Sequence, residues 1–183
     1  KACVLATTAN YAATYNNGAS GVGATLTANA SGVVTFDGTA FAINDRILFK
    51  DQTSALQNGI YTCTTLGAVG VAAVFTRADD TDVPSEIPSA AVLIVGGVQN
   101  DNQGFVCSNN ADPTIGTDAI NFVQFTGAGQ IVAGNGLAKN GNTLSVNVDD
   151  STIEINGDAL RVKDDGITAD KIAAGVIGST ELA

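Results

Sequence analysis

The stretch "NGNTLSVNVDDSTIEINGDALRV", from Asn140 to Val162, contains the same short phrase twice. Asn, Gly, two variable residues, Leu, one variable residue and Val stand at 140–146 and again at 156–162, sixteen residues later. Each copy is typical of a strand, a tight turn and a second strand. Asn-Gly is a preferred central pair in two-residue hairpin turns because both residues tolerate positive φ. The sequence therefore predicts two successive β-hairpins of the same construction.

Each predicted hairpin carries aliphatic side chains on one face and polar side chains on the other. The offset extends ahead of the Asn-Gly pairs, so that Leu137 corresponds to Ile153. A lone two-stranded hairpin is marginal in water, and the repeat supplies no helix or third strand as a cover. Such units gain stability by stacking or by symmetric association, and three small faces can close a core around one axis. We therefore expect a homotrimeric shaft whose packed positions are Leu144, Val146, Ile153, Ile155, Leu160, Val162, Ile167 and Ile172.

The C-terminal residues follow a second, shorter period. "ITADKIA" (167–173) aligns with "IGSTELA" (177–183) at an offset of ten. Thr168 is a candidate N-cap for one or two helical turns, which Gly175 would end. Segments this short are not stable alone, so they too are expected to pack on copies of themselves. The pattern stops at Ala183 and the chain has no Met, which predicts a processed product or a piece of a longer polypeptide.

The residues ahead of the repeat predict an all-β head domain over 1–127. Short runs rich in Val, Ile, Phe and Thr alternate with Gly, Asn and Asp, which indicates an antiparallel β-sandwich or barrel. The clearest runs are "ATLTA", "VVTF", "RILFK", "GIYTCT", "AVFTR", "AVLIV", "GFVCS" and "NFVQF". The polar stretch Tyr15–Gly32 is expected to form a long loop or a hairpin. A Gly-rich linker over 128–136, hairpin repeats that begin the shaft over 137–165 and a truncated ten-residue repeat over 166–183 complete the predicted organisation.

Two of these runs allow a finer prediction. Charged residues bracket the apolar run Ile47–Phe49, which is therefore expected to be buried on both faces of a sheet. In "NFVQF", the period of two places Phe122 and Gln124 on one face and Val123 and Phe125 on the other.

Composition and charge exclude several functional classes. Eight basic and eighteen acidic residues give a net charge of −10, which disfavours binding to nucleic acid or to anionic membranes. The absence of His rules out Ser-His-Asp and Cys-His mechanisms and His-ligated metals. No run approaches about 18 apolar residues, so no membrane-inserted helix is predicted. "GAGQIVAGNG" lacks the Gly-Lys-Ser/Thr ending of a phosphate loop. We therefore expect neither enzymatic activity nor a cofactor.

The three cysteines, Cys3, Cys63 and Cys107, are widely spaced. They form no Cys-x-x-Cys pair, so the sequence gives no support for a zinc or redox site. Cys63 and Cys107 stand in strand-like runs and are interpreted as small apolar residues of the core. A Cys63–Cys107 disulfide stays open, because it requires those two strands to be neighbours.

Two groups of acidic residues are candidates for a cation. The first lies within eight residues and consists of Asp79, Asp80, Asp82 and Glu86. The second, Asp149-Asp150 and Asp164-Asp165, recurs at nearly equivalent places in the repeat and would form acidic rings in a threefold assembly. Neither has the ligand spacing of an EF-hand, and solvated turns are the favoured interpretation of both. A glycoside hydrolase needs two carboxylates converging in a cleft, whereas these lie in predicted turns.

A resemblance to a known family rests on five segments that occur in a fixed order. They are "NDRILFKDQTSALQNGIYTC" (44–63), "FTRADDTD" (75–82), "SAAVLIVGG" (89–97), "DNQGFVCSN" (101–109) and "INFVQFTGAG" (120–129). Together they resemble a domain common in bacteriophage tail fibres. "AGNGLAKNGNTLSVNV" resembles the element that leads into a fibre shaft, and "DGITADKIAAGVIGSTELA" resembles the ten-residue repeats of phage fibres and tail-tip proteins. Phe75 and Phe105 stand where the family often has Trp, which keeps a large apolar side chain but weakens a Trp-based sugar site.

This resemblance implies a structural component of a phage tail that forms homotrimers and contacts other tail proteins. It further implies a place in the virion, assembly in the host cytoplasm, and support for attachment to a host glycan through distal parts. A carbohydrate-binding β-sandwich module is the main alternative, and it would need an exposed aromatic platform built from Tyr11, Tyr15 or Tyr61. A bacterial surface protein made of the same β units and a capsid decoration protein are further alternatives.

Overall fold

A computed structural model describes residues 1–126, 131–140 and 143–173 of the chain. The chain divides into two compact units, which we call the head unit (Lys1–Gln130) and the repeat unit (Ile131–Ala183). The described residues form β-strands, turns and a few short 3₁₀ turns, which confirms the predicted all-β class.

Ten strands are described in the head unit. They are β1 (Ala2–Cys3), β2 (Leu5–Ala6), β3 (Ala13–Asn16), β4 (Thr25–Ser31), β5 (Arg46–Phe49), β6 (Gly59–Thr65), β7 (Ala72–Arg77), β8 (Ala91–Ile94), β9 (Gly104–Cys107) and β10 (Phe122–Gln124). One sheet has six strands in the order β2-β5-β6-β7-β4-β3, and the other has four in the order β1-β8-β9-β10. Single 3₁₀ turns lie at Ala55–Gln57 and Pro84–Glu86.

The prediction of a purely antiparallel arrangement is wrong at the N-terminus. Cys3 pairs with Ile94 in a parallel ladder of the four-stranded sheet, and Leu5 pairs with Ile47 in a parallel ladder of the six-stranded sheet. Val4 lies between them and donates its N–H to the carbonyl of Arg46, 2.8 Å away. One extended N-terminal segment therefore completes an edge of each sheet. Parallel pairing arises because its partners follow much later in the chain, not through a hairpin.

Strand β5, which lies between β2 and β6, is buried on both sides, as predicted. Ile47, Leu48 and Phe49 are all fully buried. Ile47 and Phe49 project into one core cluster, whereas Leu48 projects into another that also contains Ile94 and Phe105 from the four-stranded sheet. The second cluster therefore receives side chains from both sheets.

Aromatic rings fill the first cluster. Tyr11, Phe36, Phe41, Phe49 and Phe75 contact one another with ring centroids 5.1–5.7 Å apart, mostly edge to face. Edge-to-face packing is favourable because the positive ring edge meets the negative ring face. Phe75, which replaces the Trp often found in the resembling family, is fully buried here.

All three cysteines are free and buried, so the open possibility of a Cys63–Cys107 disulfide is excluded. The reason is topological. Cys63 lies in β6 of the six-stranded sheet and Cys107 in β9 of the four-stranded sheet, within different core clusters. The interpretation of both as apolar core residues is confirmed.

Residues 15–36 of the head unit contain the predicted strand "VVTF" and a stretch predicted to be a long loop or a hairpin. The run "VVTF" forms no strand, and Val33 within it is 83% exposed. The polar stretch Tyr15–Gly32 belongs to a hairpin in which β3 and β4 pair antiparallel, with Tyr15 opposite Leu26. Of the two alternatives predicted for that stretch, the structure has the hairpin.

The repeat unit contains two antiparallel hairpins. Hairpin 1 consists of β11 (Leu137–Asn140) and β12 (Thr143–Val146), and hairpin 2 consists of β13 (Ile153–Asn156) and β14 (Ala159–Val162). Leu137 lies opposite Val146, and Ile153 lies opposite Val162. The ladder is extended in both hairpins by an N–H···O bond of 2.9 Å, from Asn147 to Gly136 and from Lys163 to Thr152. Residues sixteen positions apart in the sequence thus occupy equivalent places in the two hairpins, which have the same strand register.

The turn of hairpin 2 differs from the prediction in its central pair. Asn156 is the last residue of β13 and pairs with Ala159, so Gly157 and Asp158 occupy the two central positions. Gly157 takes φ 58°, whereas Asp158 does not take a positive φ. This is the pattern of a turn with Gly first, which needs only one residue of positive φ. The corresponding pair in hairpin 1, at 141–142, lies outside the described residues.

A short 3₁₀ turn at Ala169–Lys171 follows the hairpins. Thr168 occupies the N-cap position, as predicted, with extended backbone, but its side chain makes no capping hydrogen bond. The predicted stop at Gly175 and the second ten-residue copy at 177–183 lie outside the described residues.

Candidate association surface

Hairpin 2 presents four aliphatic side chains on one face. Ile153 lies opposite Val162 and Ile155 lies opposite Leu160, and residues directly opposite in a ladder project to the same side. Between 38% and 56% of the surface of each of the four is exposed. Hairpin 2 therefore leaves a contiguous aliphatic face open to solvent.

Hairpin 1 repeats this face in a narrower form. Leu137 lies opposite Val146, and Lys139 lies opposite Leu144, so the basic residue takes the place that Ile155 has in hairpin 2. Leu137, Leu144 and Val146 are all exposed. Leu137 was missing from the predicted packing positions, although its alignment with Ile153 at the sixteen-residue offset was a sufficient signal.

The two aliphatic faces meet at a groove. Val146 from hairpin 1 and Ile153 and Leu160 from hairpin 2 line it, together with the connecting residues Asn147–Asp149 and Thr152. The groove has a volume of about 330 Å³. Its size and lining suit a few aliphatic side chains, and the two faces form one surface there.

The opposite face of hairpin 2 carries an ion pair. Arg161 lies across the ladder from Glu154. Its Nη2 lies 2.7 Å from Oε1 of Glu154, and its Nε donates to the same oxygen at 2.8 Å. The two faces of this hairpin therefore differ sharply, with ion pairing on one side and uncovered aliphatic carbon on the other.

The Asp149 carboxylate fixes the entry into hairpin 2. Its Oδ1 accepts the backbone N–H groups of Ser151, Thr152 and Ile153 at 2.8–3.1 Å, and its Oδ2 accepts the Ser151 hydroxyl at 2.9 Å. The N–H groups of Ile153 and Thr152 above all hold the pKa of this carboxyl well below its ordinary value. The oxygens of Asp149 are thus occupied by its own turn.

The acidic pairs that were predicted to form rings lie in turns of the repeat unit. Asp150 and Asp165 take positive φ, at 52° and 60°, as residues of tight turns do. Among the described residues, no group of three or more acidic or cysteine side chains is placed to hold a metal ion. Turn formation, the favoured interpretation of these acidic pairs, is what the geometry supports.

Basic side chains close the base of hairpin 2. Nζ of Lys163 donates to the carbonyl of Asp150 at 2.7 Å, and Nζ of Lys171 donates to the carbonyl of Gly166 at 3.0 Å and to the Thr152 hydroxyl. The residues that follow the hairpin therefore fold back on its connecting turns. Ile167 and Ile172 stay exposed in this arrangement.

All eight predicted packing positions are thus exposed in the single chain. They are Leu144, Val146, Ile153, Ile155, Leu160, Val162, Ile167 and Ile172, with exposed fractions of 38–56%. Six of them lie on the hairpin faces described above. Their burial against other copies stays a prediction.

Two of the four clustered acidic residues of the head unit, Asp80 and Glu86, bind groups within the chain. Both oxygens of Asp80 accept from Nη2 of Arg46, at 2.7 and 3.0 Å, and Nζ of Lys1 lies 3.6 Å from Oδ2. Glu86 accepts the backbone N–H groups of Asp82 and Val83 through Oε2. The side chains of Asp80 and Glu86 therefore have partners within the chain.

The tyrosines do not form the aromatic platform that a sugar-binding module would require. Tyr61 is fully buried and donates its hydroxyl to the carbonyl of Gln57. Tyr11 packs into the aromatic cluster, and burial raises its pKa to about 12. Tyr15 donates its hydroxyl to Oδ1 of Asn17 at 2.6 Å.

Comparison of the chain with protein-family models, with curated protein sequences and with solved structures gave no significant match. Within the described residues, no helix has the length and apolar character needed to cross a membrane.

Proposed function

We propose that this chain is a structural segment of a bacteriophage tail fibre or tail tip, in which three copies associate through their repeat units. The observation that carries the proposal is the pair of aliphatic faces on hairpins 1 and 2, exposed in the single chain and built in the same register. Contiguous aliphatic faces that are open to water mark sites that a partner covers. Copies of the same chain supply matching faces by symmetry.

The free energy gained by burying these faces must exceed the cost of association, and this balance determines how many faces must be buried together. Each exposed Leu, Ile or Val contributes on the order of 1 kcal/mol when its remaining surface leaves water, about half the value for full burial. Association costs roughly 4–15 kcal/mol in lost freedom and ordering. One hairpin face with four such side chains, at about 4 kcal/mol, only meets the lower end of that cost. Both faces together with Ile167 and Ile172, nine side chains in all, give about 9 kcal/mol for each chain. The need to bury more than one face explains why the hairpin occurs twice in the chain.

The role that follows is mechanical. A head unit with a closed aromatic core joins to a shaft that grows by repetition, and the shaft carries a distal part that recognises the host. Three copies on one axis place three receptor contacts on one particle, and linked weak contacts give high avidity. No catalytic step and no cofactor are involved. The chain would reside in the virion tail after assembly in the host cytoplasm, with other tail proteins as neighbours.

The sequence resemblance to phage tail fibres supports this assignment independently of the repeat. The runner-up functions, a carbohydrate-binding module and a capsid decoration protein, are not favoured. The tyrosines give the first no platform, and the second has little use for uncovered repeat faces. Binding of host glycan is accordingly assigned to distal parts of the fibre.

The test is the solution mass of the chain by multi-angle light scattering. A homotrimer has about 55 kDa, three times the chain mass of 18.3 kDa. Leu160→Asp places a carboxylate in the middle of the aliphatic face and should give monomers. Ala159→Asp places the same group next to it on the polar face and should leave the trimer intact. A monomeric parent chain, or a Leu160→Asp variant that stays trimeric, contradicts the proposal.

A further inference from the structure

The head unit has an uncovered apolar face of its own, on the outer side of the four-stranded sheet. Ala91 lies opposite Val106, which lies opposite Val123, and these three form one outward row. Val123 is 46% exposed and Ala91 is also exposed, whereas Val92 next to it in β8 is buried on the inner side. The outward row carries no polar side chain.

A second row lies beside the first. Leu93 lies opposite Ala2 on one side and opposite Gly104 on the other. Phe125 donates its N–H to the carbonyl of Gly104 at 2.9 Å and is 51% exposed, and Leu93 is 50% exposed. The predicted split of "NFVQF" into faces is consistent with this arrangement, since Val123 and Phe125 are both exposed.

Gly104 leaves room for the Phe125 ring to lie against β9. A Cβ on residue 104 would lie 2.8 Å from two ring carbons of Phe125, closer than such contacts allow. The ring therefore lies directly over the backbone of β9, where it widens the outward apolar surface.

We propose that this outer face, formed by Ala2, Ala91, Leu93, Val106, Val123 and Phe125, is a second self-association surface that is covered by the head units of neighbouring copies. The inference rests on the proposed trimer. The lack of charged side chains on this outer face favours a copy of the same chain as the occupant. The chain carries a net charge of −10, which opposes the approach of two copies, and this repulsion is weakest across surfaces without carboxylates. The two outward rows of this sheet carry no charged side chain. A basic partner would have no acidic residue to meet there.

The path of the chain supports the same occupant. β10 ends at Gln124, Phe125 follows on this face, and β11 of the repeat unit begins at Leu137. The ten residues 127–136 span at most about 35 Å when fully extended. Gathering the repeat units of several copies therefore keeps their head units close, with an effective concentration on the order of mM. At that concentration a face that binds its equivalents with a Kd below about 1 mM becomes mostly occupied.

The experiment uses full-length chains with one added thiol, Val123→Cys on the face and Val69→Cys as the matched control. Val69 is 99% exposed at a turn of the head unit, and the three native cysteines are buried. Each variant is made with and without Leu160→Asp, which supplies a monomeric reference, and the rate of alkylation by iodoacetamide is measured. We expect Cys at 123 to react about tenfold more slowly in the trimer than in the monomer, a difference of about 1.4 kcal/mol in access. Cys at 69 should react equally in both.

The outcomes separate this inference from the proposed function. If the parent is trimeric but Cys at 123 reacts at the monomer's rate, the face is open or belongs to another protein, and only this inference fails. If the parent is monomeric, the proposed function fails and the inference fails with it. Val123→Glu gives a second measurement: the head unit should keep its thermal midpoint, while the concentration at which trimers dissociate should rise about tenfold. An unchanged dissociation concentration overturns the inference.

Discussion

Gly59 lies directly against the guanidinium group of Arg77, and a Cβ at position 59 would overlap Nη1 of that arginine. Arg77 is buried at 3% exposure. Its Nη2 donates to the Tyr61 hydroxyl at 2.8 Å and to the Asn58 carbonyl at 3.1 Å, and the group stacks 4.8 Å from the Tyr61 ring centre. The glycine thus provides the space in which a buried cation is held by one aromatic ring and two oxygens.

Gly59→Ala should therefore destabilise the head unit. The added methyl group displaces the arginine from its oxygens, and φ 153° at residue 59 is unfavourable for alanine. Overpacking of this kind costs about 1–3 kcal/mol. The measurement is urea unfolding followed by tyrosine fluorescence, since the chain has no Trp. Gly70→Ala is the control, because it has a positive φ of 76° but open space around the Cβ. If the two variants lose equal stability, the overlap with Arg77 is not the cause.

The three thiols should be inert in the folded protein. Burial raises the pKa of Cys3 to about 12 and also raises the pKa of Cys63 and Cys107. We expect no reaction with an aromatic disulfide reagent at mildly alkaline pH, and three thiols to react in concentrated guanidinium chloride without reductant. A count of one thiol in the denatured chain would mean that two are joined.

The same thiols predict a loss of stability in alkali. An unfolded thiol ionises near its ordinary pKa of 9.0, whereas the buried thiol of Cys3 stays protonated to about 12. The folded state then binds more protons than the unfolded state, so the free energy of unfolding decreases as pH rises above 9. Cys3→Ala should flatten this decrease between pH 9 and 12 in urea titrations. An unchanged slope would assign the effect to other groups.

Asp80→Asn should loosen the N-terminal segment. Burial raises the pKa of Asp80, but Arg46 and Lys1 outweigh it, and the pKa lies below the ordinary 3.8. The ion pair therefore stabilises the fold above pH 3.8 and is lost as pH falls through the folded-state pKa. Because the pair is partly exposed, the global effect should be at most about 1 kcal/mol. Hydrogen exchange of the Val4 amide should accelerate several-fold, whereas Asp79→Asn should leave it unchanged.

How far these features could be read from the sequence depends on how local their causes are. The strands of the repeat were predictable because alternation and Gly-containing turns act within a dozen residues, and Ile47–Phe49 was predictable because a continuous apolar run needs two covered faces. The parallel pairing of Leu5 with Ile47 was not, since it joins residues far apart in the chain.

Asn58-Gly59 illustrates the limit most clearly. An Asn-Gly pair on its own is typical of a tight turn. In the structure, Asn58 is buried, its Oδ1 accepts the N–H of Gln52 and its Nδ2 donates to the carbonyl of Ile120. The role of the pair depends on two distant segments and on Arg77, and no local sequence pattern indicates these contacts. The aliphatic faces of the two hairpins, by contrast, were predictable because they depend on the local repeat alone. Their burial against other copies stays a prediction.

Asp149→Ala should weaken hairpin 2 and, with it, association of the repeat unit. The variant leaves the N–H groups of Ser151, Thr152 and Ile153 without their shared acceptor, so hydrogen exchange at Ile153 should accelerate several-fold. Because those N–H groups hold the carboxyl pKa far below 3.8, the wild-type turn should stay intact on acidification to that pH and open only below it. Amide exchange measured across an acid titration tests both statements. Asp158→Ala removes a carboxylate from the same hairpin without touching this turn, and should behave as wild type. If both variants exchange alike, the loss of charge and not the loss of the acceptor governs the hairpin, and the turn assigned to Asp149 is not what presents Ile153 at the aliphatic face.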